Sequence, residues 1–327
     1  MTVPIWIAFI LLIIGLVALD LGVFHRKDRV VTLRSALGWS SLWISMAMLF
    51  MVFVYFLYES NYPWSSLPTE HMDGRAAVTQ FLTGYVLEYS LSLDNVFVIA
   101  MILAYFRVPA VLQHRVLFWG ILGAVVLRGV MIALGVALIN RFEWVTYIFG
   151  LFLLYSAARM LMLRHETVDP SENPLVKLAQ RMIPVTNDFH GHHFVVRVDG
   201  KLMATPLLLA LLLVESSDVM FAVDSIPAIF AITRDPFIIF TSNIFAILGL
   251  RSLYFILAAY MRKFRYLKQA LVFVLAYVGV KMIVSHHYDI PDMASLSIIG
   301  GILLVGIVAS IHGASRDPVP LKSPLDE

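Results

Sequence analysis

Apolar positions along this chain come in long unbroken runs, not in the alternating patterns of a soluble protein. A helix needs roughly 20 apolar residues to cross a bilayer. Nine such runs are readable: 4–24, 36–58, 78–106, 112–139, 143–163, 204–232, 237–260, 264–285 and 294–312. Polar residues gather between them, chiefly at 25–35, 59–77 and 164–203. The pattern predicts an all-α polytopic membrane protein with about nine transmembrane helices. The first run is expected to be a retained helix. MTVPIW has no basic leader, no A-x-A site follows, and Arg26, Lys27 and Arg29 come after the run.

Charge placement gives an orientation. With the N-terminus outside, the cytoplasmic segments hold 17 Lys and Arg, and the outer loops hold three, Arg75, Arg141 and Arg234. Basic residues favour the inner side. The expected protein is therefore multi-pass in a bacterial-type inner (plasma) membrane, N-terminus outside and C-terminus cytoplasmic, with the lipid bilayer as its partner. Composition agrees: 60% of the 327 residues are hydrophobic and 14% charged, against about 25% charged in a soluble domain. The net charge of +2 carries no nucleic-acid signal, and no nucleic acid is expected as a partner. The absence of cysteine excludes disulfides, thiolate metal sites and cysteine nucleophiles.

Two parts of the chain resemble each other. FEWVTYIFGLFLLYSAARM (142–160) aligns without gaps on FRYLKQALVFVLAYVGVKM (264–282), an offset of 122. Upstream, ILGAVVLR (121–128) resembles ILGLR (247–251), and EYSLSLDN (88–95) resembles DVMFAVDS (218–225). Each unit holds three helices, 78–163 and 204–285. An odd number of crossings sends the second unit in from the opposite side, which makes an inverted-topology repeat of the kind secondary transporters use. Arg159 and Lys281 match in the alignment and would snorkel to opposite interfaces. Composition alone also makes apolar helices resemble each other, and that is the competing explanation. Two N-terminal helices (1–58) precede the units, and a final helix (294–312) and a cytoplasmic tail (313–327) follow. The connector 164–203, with Pro170, Pro174 and Pro184, is too short for its own core; a small hairpin is expected at HHFVVRVDGKLM.

The candidate chemistry is carboxylate. Glu88 and Asp94 lie in the third run, and Glu215, Asp218 and Asp224 in the sixth. Each acid at bilayer centre costs about 2.5–3.5 kcal/mol on insertion scales. Five of them are expected to face a cavity, a cation or each other. Glu88 and Asn95 share a helix stripe, as do Asp218 and Ser225. Asp94 and Asp224 each lie six residues from the first acid, about 120° round an unbroken helix. They need a local break to face the same site, or they serve another role. Pro227 offers such a break in the sixth run; the third has only Gly84. The oxygen donors Glu88, Asp94, Asn95, Glu215, Asp218, Asp224 and Ser225 suit a hard divalent cation such as Mn2+, Mg2+ or Ca2+. Met220 is either a soft ligand or a packing residue.

Arg128 and Arg251 occupy matching positions in the second helix of each unit. They are either structural counter-ions for the acids or charges released during a transport cycle. Asn243, with Thr241 and Ser242, is either further polar lining or a helix-start cluster. His190, His192 and His193 in the connector, and His286 and His287 after the eighth run, are either solvated polar residues or sensors of metal or pH.

LEYSLSLDNVFV (87–98), VESSDVMFAVDSIPAIFAIT (214–233) and SNIFAILGLRSLYF (242–255) resemble signature segments of the TerC family of integral membrane proteins, and within it are most similar to the Alx branch. The resemblance spans nearly the whole chain. It implies Mn2+ export from the cytoplasm and a bearing of Glu88, Asp94, Glu215, Asp218 and Asp224 on the ion. It also brings a family name derived from tellurium resistance, which no residue here explains. Mn2+ would be the transported substrate, with no organic cofactor. No GxxxxGK[ST] is present, so the drive would be a gradient, protons being one coupling ion. HExxH and GxGD-type segments are also missing, and an enzyme is not expected. The alternative is an accessory membrane protein that supports metalation or a stress response to tellurium or alkaline pH.

Overall fold

The computed structural model describes residues 3–24, 32–59, 72–162, 173–186, 188–198, 200–260, 266–285, 288 and 290–316. In chain order its elements are α1 (Val3–Phe24), α2 (Leu33–Glu59), α3 (Gly74–Tyr105), α4 (Ala110–Arg141), α5 (Val145–Met162), α6 (Pro174–Met182), β1 (Val195–Val198), β2 (Lys201–Ala204), α7 (Pro206–Phe230), α8 (Pro236–Leu248), α9 (Leu250–Tyr260), α10 (Leu267–Val284) and α11 (Asp292–Arg316). Pro170, His286, His287 and the tail beyond 316 lie outside the described residues.

The protein is an all-α polytopic membrane protein. Among the described residues seven helices, α2, α3, α4, α5, α7, α10 and α11, are long and apolar enough to cross a membrane. The expected single span 237–260 is instead two helices, α8 and α9, bent by 43° at their junction. Gly249 sits at that junction with its backbone still in the right-handed helical region, φ −76° and ψ −14°. α1 contributes a shorter apolar stretch, Val3–Ala18. Leu11, Leu49, Phe56, Leu134 and Leu304 are exposed apolar residues on these helices, as expected where hydrocarbon is the solvent.

Local signals set where the helices begin. Asp73 caps α3 by accepting from the Ala76 N–H. Asp235 accepts from the N–H groups of Phe237 and Ile238, with Pro236 at the first position of α8. The other Asp235 oxygen accepts from the Tyr58 hydroxyl at 2.8 Å, which ties α2 to the start of α8. α8 is buried along most of its length. Its Phe237 and Phe245 meet Phe9 of α1 and Phe50 of α2 in an aromatic cluster, Phe50 and Phe245 being 4.7 Å apart between ring centres.

Helices before the connector pack against helices after it. α3 packs against α8, α4 packs against α7, and α5 packs along α10. The α5–α10 crossing is made by glycines. A Cβ on Gly279 would lie 3.0 Å from the Gly150 carbonyl oxygen. Backbones approach this closely only where small residues line the contact.

The described part of the connector is folded. β1 and β2 form an antiparallel hairpin with Val195 opposite Ala204, at the place the sequence suggested. The Thr205 hydroxyl donates to the His193 and Phe194 carbonyls, and the Arg115 guanidinium lies 5.4 Å over the Phe194 ring. These contacts seat the hairpin on the ends of α7 and α4. α6 lies against α7, where Asn173 donates from Nδ2 to Ser216 Oγ at 2.9 Å.

Candidate functional site

α4 carries one arginine in its middle turns, Arg128, and its side chain is fully buried. An arginine that never loses its charge must be paired when it leaves water. It is paired with acids of α3 and α7. Nη1 donates to Glu88 of α3. Nη2 donates to Asp218 Oδ1 of α7 at 3.1 Å, and Nε faces Asp218 Oδ2 at 3.3 Å. Nη1 also faces Ser225 Oγ at 3.4 Å and Asn243 Oδ1 at 3.3 Å. Asn243 reaches back from Nδ2 to Glu88 Oε2 at 3.0 Å, and Ser92 Oγ lies 3.3 Å from Glu88 Oε1. One guanidinium thus gathers four elements, α3, α4, α7 and α8. Its fork geometry fits two carboxylates better than a lysine would.

Of the seven candidate ligands, Glu88, Asp218 and Ser225 meet here. Asp224 does not. α7 runs through Pro227 as one helix, so the proline does not turn Asp224 toward Glu88. Asp224 faces α5 instead, where it accepts from Ser156 Oγ at 2.7 Å and lies in electrostatic reach of Arg159. Asp94 also stays apart: α3 continues past Gly84 without a break, and Asp94 lies in electrostatic reach of Lys268 on α10. Asn95 is buried and its Oδ1 accepts no hydrogen bond. Glu215 is half-buried one turn before Asp218, and its Oε2 is buried without a partner. Among the described residues no three His, Asp or Glu side chains converge to hold a metal ion. In this conformation the charge between Glu88 and Asp218 is a guanidinium.

The other candidates sort by contact. Met220 is 61% exposed, and two residues from Asp218 it points to the far side of the helix. Thr241 and Ser242 donate to the Phe237 and Ile238 carbonyls of their own helix, so Asn243 alone of that trio reaches the site. Arg251 is buried at the start of α9, beyond the bend. Lys281 is buried too and faces Asp292 at 3.9 Å, where α11 begins. His190 and His193 are exposed in the turn before the hairpin.

Ser92 and Ser156 were missed from sequence. Ser92 is four residues after Glu88, on the same helix face, and that spacing was a usable signal. Ser156 touches Asp224 across 68 positions of chain, and no local pattern announces it.

Residues 73–317 match the model of the integral membrane protein TerC family. The chain belongs to the TerC family. Its relatives extend beyond that segment. An uncharacterized membrane protein of Myxococcus xanthus is 50% identical over 96% of this chain and 93% of its own length. Proteins named Alx and designated candidate membrane-bound redox modulators are similar across nearly their whole length. The one from Photorhabdus laumondii is 44% identical over 94% of both chains. The one from Escherichia coli is 43% identical over 93% of this chain and 92% of its own. The chain is therefore a TerC family protein near the Alx branch. No solved structure matches it. Every member of the buried cluster, Glu88, Ser92, Arg128, Asp218, Ser225 and Asn243, falls inside the TerC match.

Proposed function

We propose that this TerC protein is a secondary transporter that exports a divalent cation, Mn2+ first among them, from the cytoplasm. The observation that carries the reading is the pair Glu88 and Asp218, held on one buried guanidinium at the meeting of α3, α4, α7 and α8. Buried intramembrane acids mark ion pathways. The oxygens gathered here are hard donors: two carboxylates, the Ser225 hydroxyl and the Asn243 amide. They suit Mn2+ better than copper or zinc.

In this reading Arg128 is a resident charge that an entering cation replaces. With the guanidinium withdrawn, Glu88, Asp218, Ser225 and Asn243 Oδ1 are all left with free lone pairs. A dication brings more charge than the arginine and takes oxygens from several sides at once. When the cation leaves, Arg128 returns and the acids are never left bare in hydrocarbon. The exchange of partners between α3–α8 and α4–α7 is what two inverted units would make, and rocking one unit against the other would expose the site to each side in turn. Protons are a candidate coupling ion. The protein is read as a carrier, not as an enzyme.

The second reading is an accessory membrane protein in metalation or stress response. The designation of Alx relatives as redox modulators favours keeping it. With no cysteine in the chain, any redox effect here does not run through a thiol of its own.

Reconstituted protein in liposomes with a Mn2+-sensitive dye separates the two. Transport predicts Mn2+ flux that Asp218→Asn abolishes. No flux from the intact protein refutes the transporter reading and leaves the accessory one. Flux that survives Asp218→Asn and Glu88→Gln places the ion elsewhere.

A further inference from the structure

Glu215 is set apart from the other acids by what surrounds it. It lies three residues before Asp218, so the two carboxylates share a helix face, and Asp218 is in electrostatic reach of it. Glu88 receives Arg128, Asn243 and Ser92, and Asp218 is gripped by two nitrogens of Arg128. Glu215 Oε2 is buried and accepts nothing. Its carboxylate lies directly on the backbone of Gly123 of α4, so that a Cβ at Gly123 would overlap it. Glycine at 123 leaves this notch open, and any Cβ there would displace the flexible end of Glu215. Five positions along the same helix stands Arg128. α4 thus supplies both the slot for Glu215 and the charge for Asp218.

We infer that Glu215 is the carboxylate that first receives the cation, and that Gly123 is the positioning residue that keeps it beside Asp218. The inference rests on the transport reading and deepens it. An unpartnered buried carboxylate oxygen gains more from an arriving cation than groups already satisfied. A cation held by Glu215 is one helical turn from Asp218 and shares that carboxylate with Arg128. Sharing weakens the hold of Asp218 on the guanidinium. Loading at Glu215 and release of Arg128 are then linked through one side chain. Ser216, hydrogen-bonded to Asn173 of the connector, places the connector beside this entry position.

The test exploits size. Gly123→Ala pushes the Glu215 carboxylate out of its notch. Glu215→Asp shortens the side chain by one methylene and withdraws it from the same space. Gly123→Ala should raise the half-saturating Mn2+ concentration roughly tenfold or more, the scale seen when a group that orients a ligand is lost, with the maximal flux little changed. In the Glu215→Asp background the same alanine should add nothing, so the double variant matches Glu215→Asp alone. Additive effects, or Gly123→Ala behaving as wild type, overturn the inference. If Gly123→Ala is not monodisperse, Glu215→Gln keeps the shape and removes the charge. It must weaken Mn2+ binding, read by EPR on purified protein, and wild-type binding there overturns the inference. EPR also separates the two claims. Intact protein that binds Mn2+ in a Glu215-dependent way but moves none refutes transport alone. Flux that is unchanged by both Gly123→Ala and Glu215→Gln refutes the role of Glu215 alone.

Discussion

Arg128 of α4 holds Asp218 of α7 through two guanidinium nitrogens, at 3.1 Å and 3.3 Å. The same side chain reaches Glu88 of α3. Removing it leaves two buried carboxylates with no counter-charge. Breaking a buried pair from one side costs about 3–5 kcal/mol. Arg128→Met is expected to lose that much stability, read as a lower Tm in detergent. Arg128→Lys keeps the charge without the fork and should fall between. The triple variant Arg128→Met, Glu88→Gln, Asp218→Asn should recover stability and carry no Mn2+. A triple variant as unstable as Arg128→Met would show that the charges are not what the pairing neutralises.

Asn243 serves both sides of the site at once, accepting from Arg128 and donating to Glu88. Leucine at this position removes both bonds in a fully buried setting. The expected cost is about 1–3 kcal/mol, for partners left unsatisfied. Asn243→Asp adds a third carboxylate to one guanidinium. It should raise the demand for a dication, so that added Mn2+ raises its Tm more than it raises that of wild type. Equal shifts would count against a cation entering beside Asn243.

Asp224 is held by Ser156 at 2.7 Å, outside the Arg128 cluster. A hydrogen bond to a charged group contributes about 1.5–3 kcal/mol, so Ser156→Ala should lower stability by that order. Its effect should add to that of Asn243→Leu within about 0.5 kcal/mol, as separate sites do. Strong coupling between the two in a double-mutant cycle would mean that Asp224 belongs to the central site after all.

Gly150 and Gly279 bring α5 and α10 into backbone contact. A leucine at Gly150 has no room there. Overpacking of this kind costs about 1–3 kcal/mol, and here it also forces two helices apart. Gly150→Leu should lower Tm and reduce flux together. Flux at wild-type rate would show that the α5–α10 crossing is not needed for the transport cycle.

Asp235 caps α8 and accepts from Tyr58. Asp235→Ala removes both and should cost about 0.5–2 kcal/mol for the cap alone. Tyr58→Phe should cost less, and the double variant no more than Asp235→Ala. Equal and additive losses would show that the tyrosine stabilises α2 by some other contact.

Membrane class was legible in the apolar runs because a bilayer imposes a length on any helix that crosses it. The hairpin was legible because Gly200 sits between alternating residues, and its positive φ of 77° is one that glycine adopts freely. The bend at Gly249 was not legible. ILGLR at 247–251 and ILGAVVLR at 121–128 look alike, yet α4 continues unbroken through Gly123 while the later span breaks. A glycine permits a bend or a close contact, and its neighbours in space decide which.

The acids divide along the same line. That Glu88, Asp94, Glu215, Asp218 and Asp224 lie in apolar helices is a property of the sequence, and so is the six-residue spacing from Glu88 to Asp94 and from Asp218 to Asp224. Which of them meet was settled by packing. Arg128 lies 40 residues from Glu88 and 90 from Asp218, and only the approach of α4 to α3 and α7 brings them together. Pro227 left its helix unbroken, so Asp224 kept the angle that helix geometry gives it and found Ser156 instead. Sequence determines which residues carry the cost of burial, because that cost depends on chemistry and on the length of the apolar run. Tertiary structure decides which partner relieves it, because hydrogen bonds and ion pairs act over a few ångströms that chain separation does not encode.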